Sequence, residues 1–220
     1  MDFKEWLLTE RRGEYNVHNT IVVDIQQSYE PFFLYDIPVA KFAEFLLQTL
    51  QKRKNVLYFY NGETIGTDED EGTISEWLAN LVYEYDPYDD EEDEMHERWN
   101  QIYATFRQSA TWYDKGYGFF RDWMDMGVSE TTLIRTIRYM VMNRVYDSRD
   151  IDDKALKDLL KEDFHRKIGN IHIPSISLGQ LKQFDGCHLC GGGKEECLKE
   201  VQLLMNAFNI KYRLLERFIF

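Results

Sequence analysis

The chain has little of what usually holds a small or secreted protein together. Three cysteines occur in 220 residues, an odd number gathered between positions 187 and 197. That excludes a disulfide framework and points to a reducing, cytoplasmic setting. No run of 18 apolar residues exists, so no segment reads as a transmembrane helix. The opening stretch, Met1 to Tyr15, mixes acids with bases and has no long apolar core, which predicts no secretory signal. Positive charge is also scarce: 26 Lys and Arg stand against 39 Asp and Glu, for a net charge of −13. Proteins that hold nucleic acid by neutralising phosphates need the opposite balance, so nucleic acid is an unfavoured partner. Aromatic residues, by contrast, are plentiful, with 14 Tyr, 14 Phe and 5 Trp. A chain of this length with that apolar content can bury a core without staples.

The negative charge is concentrated. Nine acids and no Lys or Arg lie between Glu84 and Glu97, which leaves the remainder near −4. The run reads as a solvated acidic loop over 84–97. A sharper reading makes it an arm that docks a basic protein partner or imitates DNA.

Periodicity supplies the architecture. Thr20-Ile21-Val22-Val23 is a short β-branched run closed by Asp24, the pattern of a buried strand. Val39, Phe42, Ala43, Leu46, Leu47 and Leu50 then follow helical spacing. Val56 to Tyr60 is a second apolar strand, closed by Asn61-Gly62. Strand, helix, strand with continuous apolar strands predicts a βαβ unit, a parallel sheet and a right-handed crossover. Helices are expected over 73–85 and 96–108. Trp112 to Phe120 reads as a strand end entering a glycine turn. Helices are again expected over 129–145, capped by Ser129, and over 152–164. Further on come a short helix at 178–184, a strand at 187–190, a glycine turn at 191–193, a helix through Cys197 to Phe208 with Glu195 and Glu196 in its first turn, and a last strand over 212–220. No linker divides the chain. The expectation is one domain over 1–220: an α/β protein, a three-layer α/β/α sandwich around a mainly parallel sheet, with a helical insertion at about 121–170.

Three residues carry candidate chemistry. Asp24 follows the first strand, and ligands of open parallel sheets bind beyond strand C-termini. Lys115 sits among aromatics and glycines, where partial desolvation tunes an ammonium. Cys197 opens a helix after Gly191-Gly192-Gly193, and a helix N-terminus favours a thiolate while nearby amides can hold an oxyanion.

The motif Val22-Val23-Asp24-Ile25-Gln26, Lys115 before the aromatic turn with Tyr117 and Phe119, and Cys197 six residues after Gly191 together resemble the isochorismatase-like cysteine hydrolases. The resemblance covers about 20–60, 112–120 and 187–218. It implies a hydrolase of small amides or related C–N and C–O bonds, with Asp24 as base, Cys197 as nucleophile and Lys115 keeping the two in register. It implies an oxyanion loop with a cis peptide at Gly192 and Gly193, and a homo-oligomer. Gln26, Tyr29, Phe32 and Tyr117 become substrate-pocket candidates. The histidines that bind metal in the nicotinamidases of that family have no counterparts here, so no cofactor or metal is expected.

Two other site readings stay open. Cys187, His188 and Cys190, with Cys197, form a Cys-x2-Cys zinc half-site. Asp24, Glu63 and Asp185 form a carboxylate set of the kind Mg²⁺ prefers in nucleases.

Overall fold

The computed structural model describes residues 17–29, 38–64, 67–83, 92–116, 118–163 and 170–220. The first strand, β1 (Thr20–Val23), and the second, β2 (Val56–Tyr60), are buried along their whole lengths, as β-branched and aromatic runs covered on both faces must be. Helix α1 (Val39–Gln51) connects them and buries Phe42, Ala43, Leu46, Leu47 and Leu50 of the stripe its spacing predicts, with Phe45 added and Val39 only partly covered. A small antiparallel hairpin, β3 (Glu63–Thr64) and β4 (Thr67–Asp68), precedes α2 (Glu71–Val82). Asp70 starts α2 by accepting from the Gly72 and Thr73 amides, both at 2.8 Å. That cap places the helix start two residues ahead of Thr73.

Helix α3 (Glu92–Ser109) leads into β5 (Ala110–Asp114). The expected acidic loop over 84–97 is therefore helical from Glu92 onward, while 84–91 lies outside the described residues. A helix N-terminus tolerates a block of acids because its unpaired amides present a positive pole. The insertion follows as α4 (Arg121–Asp125), α5 (Glu130–Asn143) and α6 (Asp153–Leu160). Ser129 and Asp152 cap the last two by accepting from the amides of Thr132 and Ala155. Short α7 (Leu178–Lys182) opens on a Ser177–Gln180 capping box and precedes β6 (Cys187–Gly191). Helix α8 (Cys197–Ala207) and β7 (Tyr212–Leu214) complete the order.

Two boundaries differ from the sequence expectation for physical reasons. Glu195 lies in a turn before α8, and Glu196 is its N-cap rather than part of its first turn. The last strand stops at Leu214, and a 3-10 turn at Glu216–Phe218 follows. The turn lets Phe218 bury itself against Phe42 and Phe45, at ring separations of 5.3 and 5.5 Å.

The five main strands form one all-parallel sheet in the order β5-β2-β1-β6-β7. Because side chains alternate across each strand, the sheet makes two cores. Ile21, Val23, Leu57, Phe59, Cys187 and Leu189 face α5 and α8 on one side. Val22, Val56, Tyr58, Tyr60 and Cys190 face α1, α2 and α3 on the other. The result is a three-layer α/β/α sandwich. Chain order along the sheet reverses between β1 and β6, which makes the carboxyl ends of those two strands a topological switch point, the usual ligand position in such sheets. Among the described residues no helix is long and apolar enough to cross a membrane.

Candidate functional site

The register fixes what stands at the carboxyl edge. Val23 pairs with Phe59 on one side and Gly191 on the other, and Tyr60 pairs with Asp114. The next residues along these strands are Asp24, Asn61, Gly192 and Lys115. The strand ends thus bring together residues up to 168 positions apart in the chain.

Asp24 leaves β1 in the left-handed region, at φ 51°, a conformation that is strained for most residues and tolerated best by Asn and Asp. Gly191 faces the preceding residue, Val23, across the ladder at φ +84°, and a Cβ there would lie 2.0 Å from the Val23 carbonyl oxygen. Only glycine fits at that point. Gly192, at φ +62°, then turns the chain towards α8, where a Cβ would lie 3.0 Å from the Leu198 amide. The described peptide bonds are all trans, those of Gly192 and Gly193 included. The turn that the resemblance assigns to a cis peptide is made here by positive φ at consecutive glycines. Phe220 latches this loop, donating to the Gly192 carbonyl and accepting from the Lys194 amide.

The three sequence candidates meet here. Lys115 Nζ lies 2.9 Å from Asp24 Oδ2, and both side chains are essentially inaccessible to solvent, at 0 % and 1 % exposure. Cys197, partly exposed, acts on the same carboxylate and favours its ionised form. Burial raises the Asp24 pKa, and the opposing pull of Lys115 and the thiol does not cancel it. Burial alone would lower that of Lys115, but Asp24 and Cys197 reverse the sign, and the ammonium stays charged. Burial and then the Asp24 carboxylate push Cys197 up to about 12. The resting group is a thiol, contrary to the thiolate expected from the helix start alone. Desolvation and an adjacent anion outweigh the helix dipole. The site thus pairs a neutral thiol with a carboxylate more basic than usual.

Neither the Gly193 nor the Cys197 amide donates to a backbone carbonyl among the described residues.

The pocket candidates divide. Tyr29 is half-buried; its hydroxyl accepts from Asn61 Nδ2 at 2.8 Å, and the charges of Asp24, Lys115 and Cys197 act on it. Gln26 is fully buried and its amide is committed. It donates to the Asn61 carbonyl and to Glu69, and accepts from the Asn61 amide. It is a strut joining the loops after β1 and β2. Phe32 and Tyr117 lie outside the described residues.

The two metal readings fail on topology. On β6, Cys187 faces one core while Cys190 faces the other, so they cannot converge on one ion. His188 lies 4.7 Å from the His18 ring and is neutral, its pKa lowered to about 4 by burial. Asp185 precedes β6, at the amino edge of the sheet, and accepts from the Lys211 amide at 2.8 Å. It stands roughly 15 Å or more from Asp24, one strand length at ~3.3 Å per residue. No group of three metal-ligating side chains occurs among the described residues.

Sequence reasoning missed Glu200. It is 1 % exposed, lies one turn after Cys197, and accepts from the Phe120 amide at 2.5 Å through Oε1. The signal was present: Cys197, Glu200, Val201 and Leu204 share one helix face at spacings of three, four and seven, and an acid interrupts the stripe.

Comparison with known proteins adds no relative: no family model, no curated protein and no solved structure matches the chain.

Proposed function

We propose that this chain is a cysteine-dependent hydrolase of the isochorismatase-like kind, cleaving a small-molecule amide or a related C–N or C–O bond. The observation that carries the reading is the meeting of Asp24, Lys115 and Cys197 at the switch point of the sheet, with a buried ion pair and the only partly exposed cysteine acting on one another's titration. A buried pair of charges adds little net stability over an apolar one, so its retention beside a thiol supports a chemical role.

The chemistry follows from the pairing. When a carbonyl enters, Asp24 takes the thiol proton and sulfur attacks the carbonyl carbon. The Gly193 and Cys197 amides face the oxygen that becomes anionic. The C–N bond breaks, the amine leaves with the proton from Asp24, and a thioester remains on Cys197. Water attacks the thioester and gives a proton to Asp24; the acid leaves and the proton returns to sulfur. Amide and water become acid and amine, with no redox change. Lys115 remains an ammonium throughout, fixing the carboxylate and offsetting its charge. A reducing cytoplasm suits such a thiol.

A small activated ester, 4-nitrophenyl acetate, tests this directly. We expect a burst of one nitrophenolate per chain and an acetyl group on the peptide carrying Cys197, located by mass spectrometry. Cys197→Ala should abolish both, and Asp24→Asn should slow acylation by about 100-fold or more, the lower range for loss of a general base. An acetyl group elsewhere, or an unchanged rate in Asp24→Asn, would end the proposal.

A further inference from the structure

Glu200 is the one deeply buried carboxylate at the site that the proposed reaction does not use. Three geometric facts define it. It is on α8, one turn from Cys197 and on the same face. Its Oε1 accepts from the Phe120 amide at 2.5 Å, and a Cβ at Gly118 would lie 3.1 Å from both of its oxygens. Its Oε2 is buried without a hydrogen-bond partner. The segment it grips is the one that leaves Lys115. That segment is anchored again by Phe119, whose ring meets Phe59 edge-on at 5.4 Å, and by His172, whose amide donates to the Phe119 carbonyl and whose ring nitrogen lies 3.1 Å from the Lys115 carbonyl oxygen.

We propose that Glu200 is a positioning residue of the site: it holds the backbone that follows Lys115, and its own protonation sets the charge felt by Cys197. The groups around it are few. Lys115 comes from the end of β5, Asp24 from the end of β1, and Cys197 from the start of α8. Arg121, at the start of α4, is committed to Asp125 and Glu196 at 3.0 and 3.2 Å. One ammonium therefore serves two carboxylates. A buried oxygen with no donor is accommodated best as a carboxylic acid. Burial accordingly raises the Glu200 pKa to about 7, against the pull of the Phe120 amide, of Lys115 and of the Phe119 amide. Near neutral pH the site then exists in two charge states, and the one with Glu200 ionised holds the Cys197 proton more tightly.

The test reads the thiol rather than turnover, so it stands apart from the hydrolase reading on which the residue's catalytic relevance rests. The rate of Cys197 alkylation by iodoacetamide is followed against pH in the full chain, for wild type and Glu200→Gln. The glutamine oxygen can still accept from Phe120 while the charge is gone. We expect the wild-type profile to show an inflection near pH 7. In Glu200→Gln the inflection should vanish and the thiol titration should fall by roughly half a unit, about a threefold gain in rate at fixed pH. Glu200→Ala, which also loses the clamp, should lower 4-nitrophenyl acetate acylation well below wild type while Glu200→Gln largely restores it. Superimposed wild-type and Glu200→Gln profiles would overturn the proposal. If Glu200→Gln does not fold, a wild-type profile without the neutral inflection overturns it equally. A shifted profile without acylation of Cys197 would retain this inference and discard the hydrolase.

Discussion

The two edges of the sheet bury ionisable groups to similar depth and treat them in opposite ways. At the amino edge, His188 is 5 % exposed and sheds its charge, held neutral by burial and by His18 and two arginines. The other polar groups there serve the backbone: the Asn19 side chain donates to the Gln183 carbonyl and accepts from the Asn55 amide, and Asp185 accepts from Lys211. At the carboxyl edge, Asp24 and Lys115 are paired at 2.9 Å, Glu200 keeps an oxygen without a donor, and Asp24, Gly191 and Gly192 all adopt positive φ. Neutralisation is the ordinary response to burial. An acid and a base buried as a pair, at the place where parallel sheets bind ligands, set the carboxyl edge apart.

The contrast can be broken most severely at the ion pair. Lys115→Met leaves Asp24 buried without its cation and should destabilise the fold by about 3–5 kcal/mol in urea unfolding. Lys115→Met combined with Asp24→Leu should recover a large part of that loss. A double variant as unstable as the sum of the two single ones would mean that the pair is not coupled.

Next in size is the glycine bend. Gly191→Ala forces a side chain into positive φ and against the Val23 carbonyl. We expect a loss of at least about 1–3 kcal/mol from the backbone conformation alone, together with slower acylation of Cys197. A variant of wild-type stability would show that β1 and β6 can part without penalty.

The smallest effect sets the edges against each other through pH. His188 titrates lower in the folded chain than unfolded, near 4 against 6.5. The unfolded chain therefore binds the extra proton, and stability contributed by neutral His188 is lost as pH falls through that window. Glu200 runs the other way: its folded pKa, about 7, lies above the ordinary 4.5. The folded chain holds the extra proton, so stability declines as pH rises from about 4.5 to about 7. Unfolding measured across pH should show His188→Phe flattening the acidic side of the stability curve and Glu200→Gln gaining on wild type as pH rises. Parallel curves for all three proteins would remove the distinction between the edges.

The legible parts of the molecule are those whose pattern is local. The strands Thr20–Val23 and Val56–Tyr60 show themselves as short apolar runs, and α1 as a stripe at helical spacing, because burial on two faces or one imposes those periods directly. The Ser129 cap is legible for the same reason: its oxygen bonds an amide three residues away. What failed was either a competition or a long-range fact. The Cys197 charge state was misjudged because the helix start is visible in sequence while the desolvation that outweighs it is not. Cys187 and Cys190 have metal-ligand spacing, but the pleat of β6 sends them to different cores. Gln26 follows Asp24 in the motif, and only the neighbouring loop after β2 shows that its amide is already bonded.

Sequence alone determined the alternation of strands and helices, the residues that close each strand, and the presence of an acid and a lysine at two such closures and of a cysteine at the helix start after a third. Tertiary structure decided that these closures share one edge, because sheet order and register place Val23 between Phe59 and Gly191. It also decided which groups keep their charge, since desolvation depends on what packs around a side chain and not on its neighbours in the chain. Glu200 shows the difference most plainly: in sequence it is an acid out of step with an apolar stripe, and in the fold it is a second carboxylate beside a single ammonium.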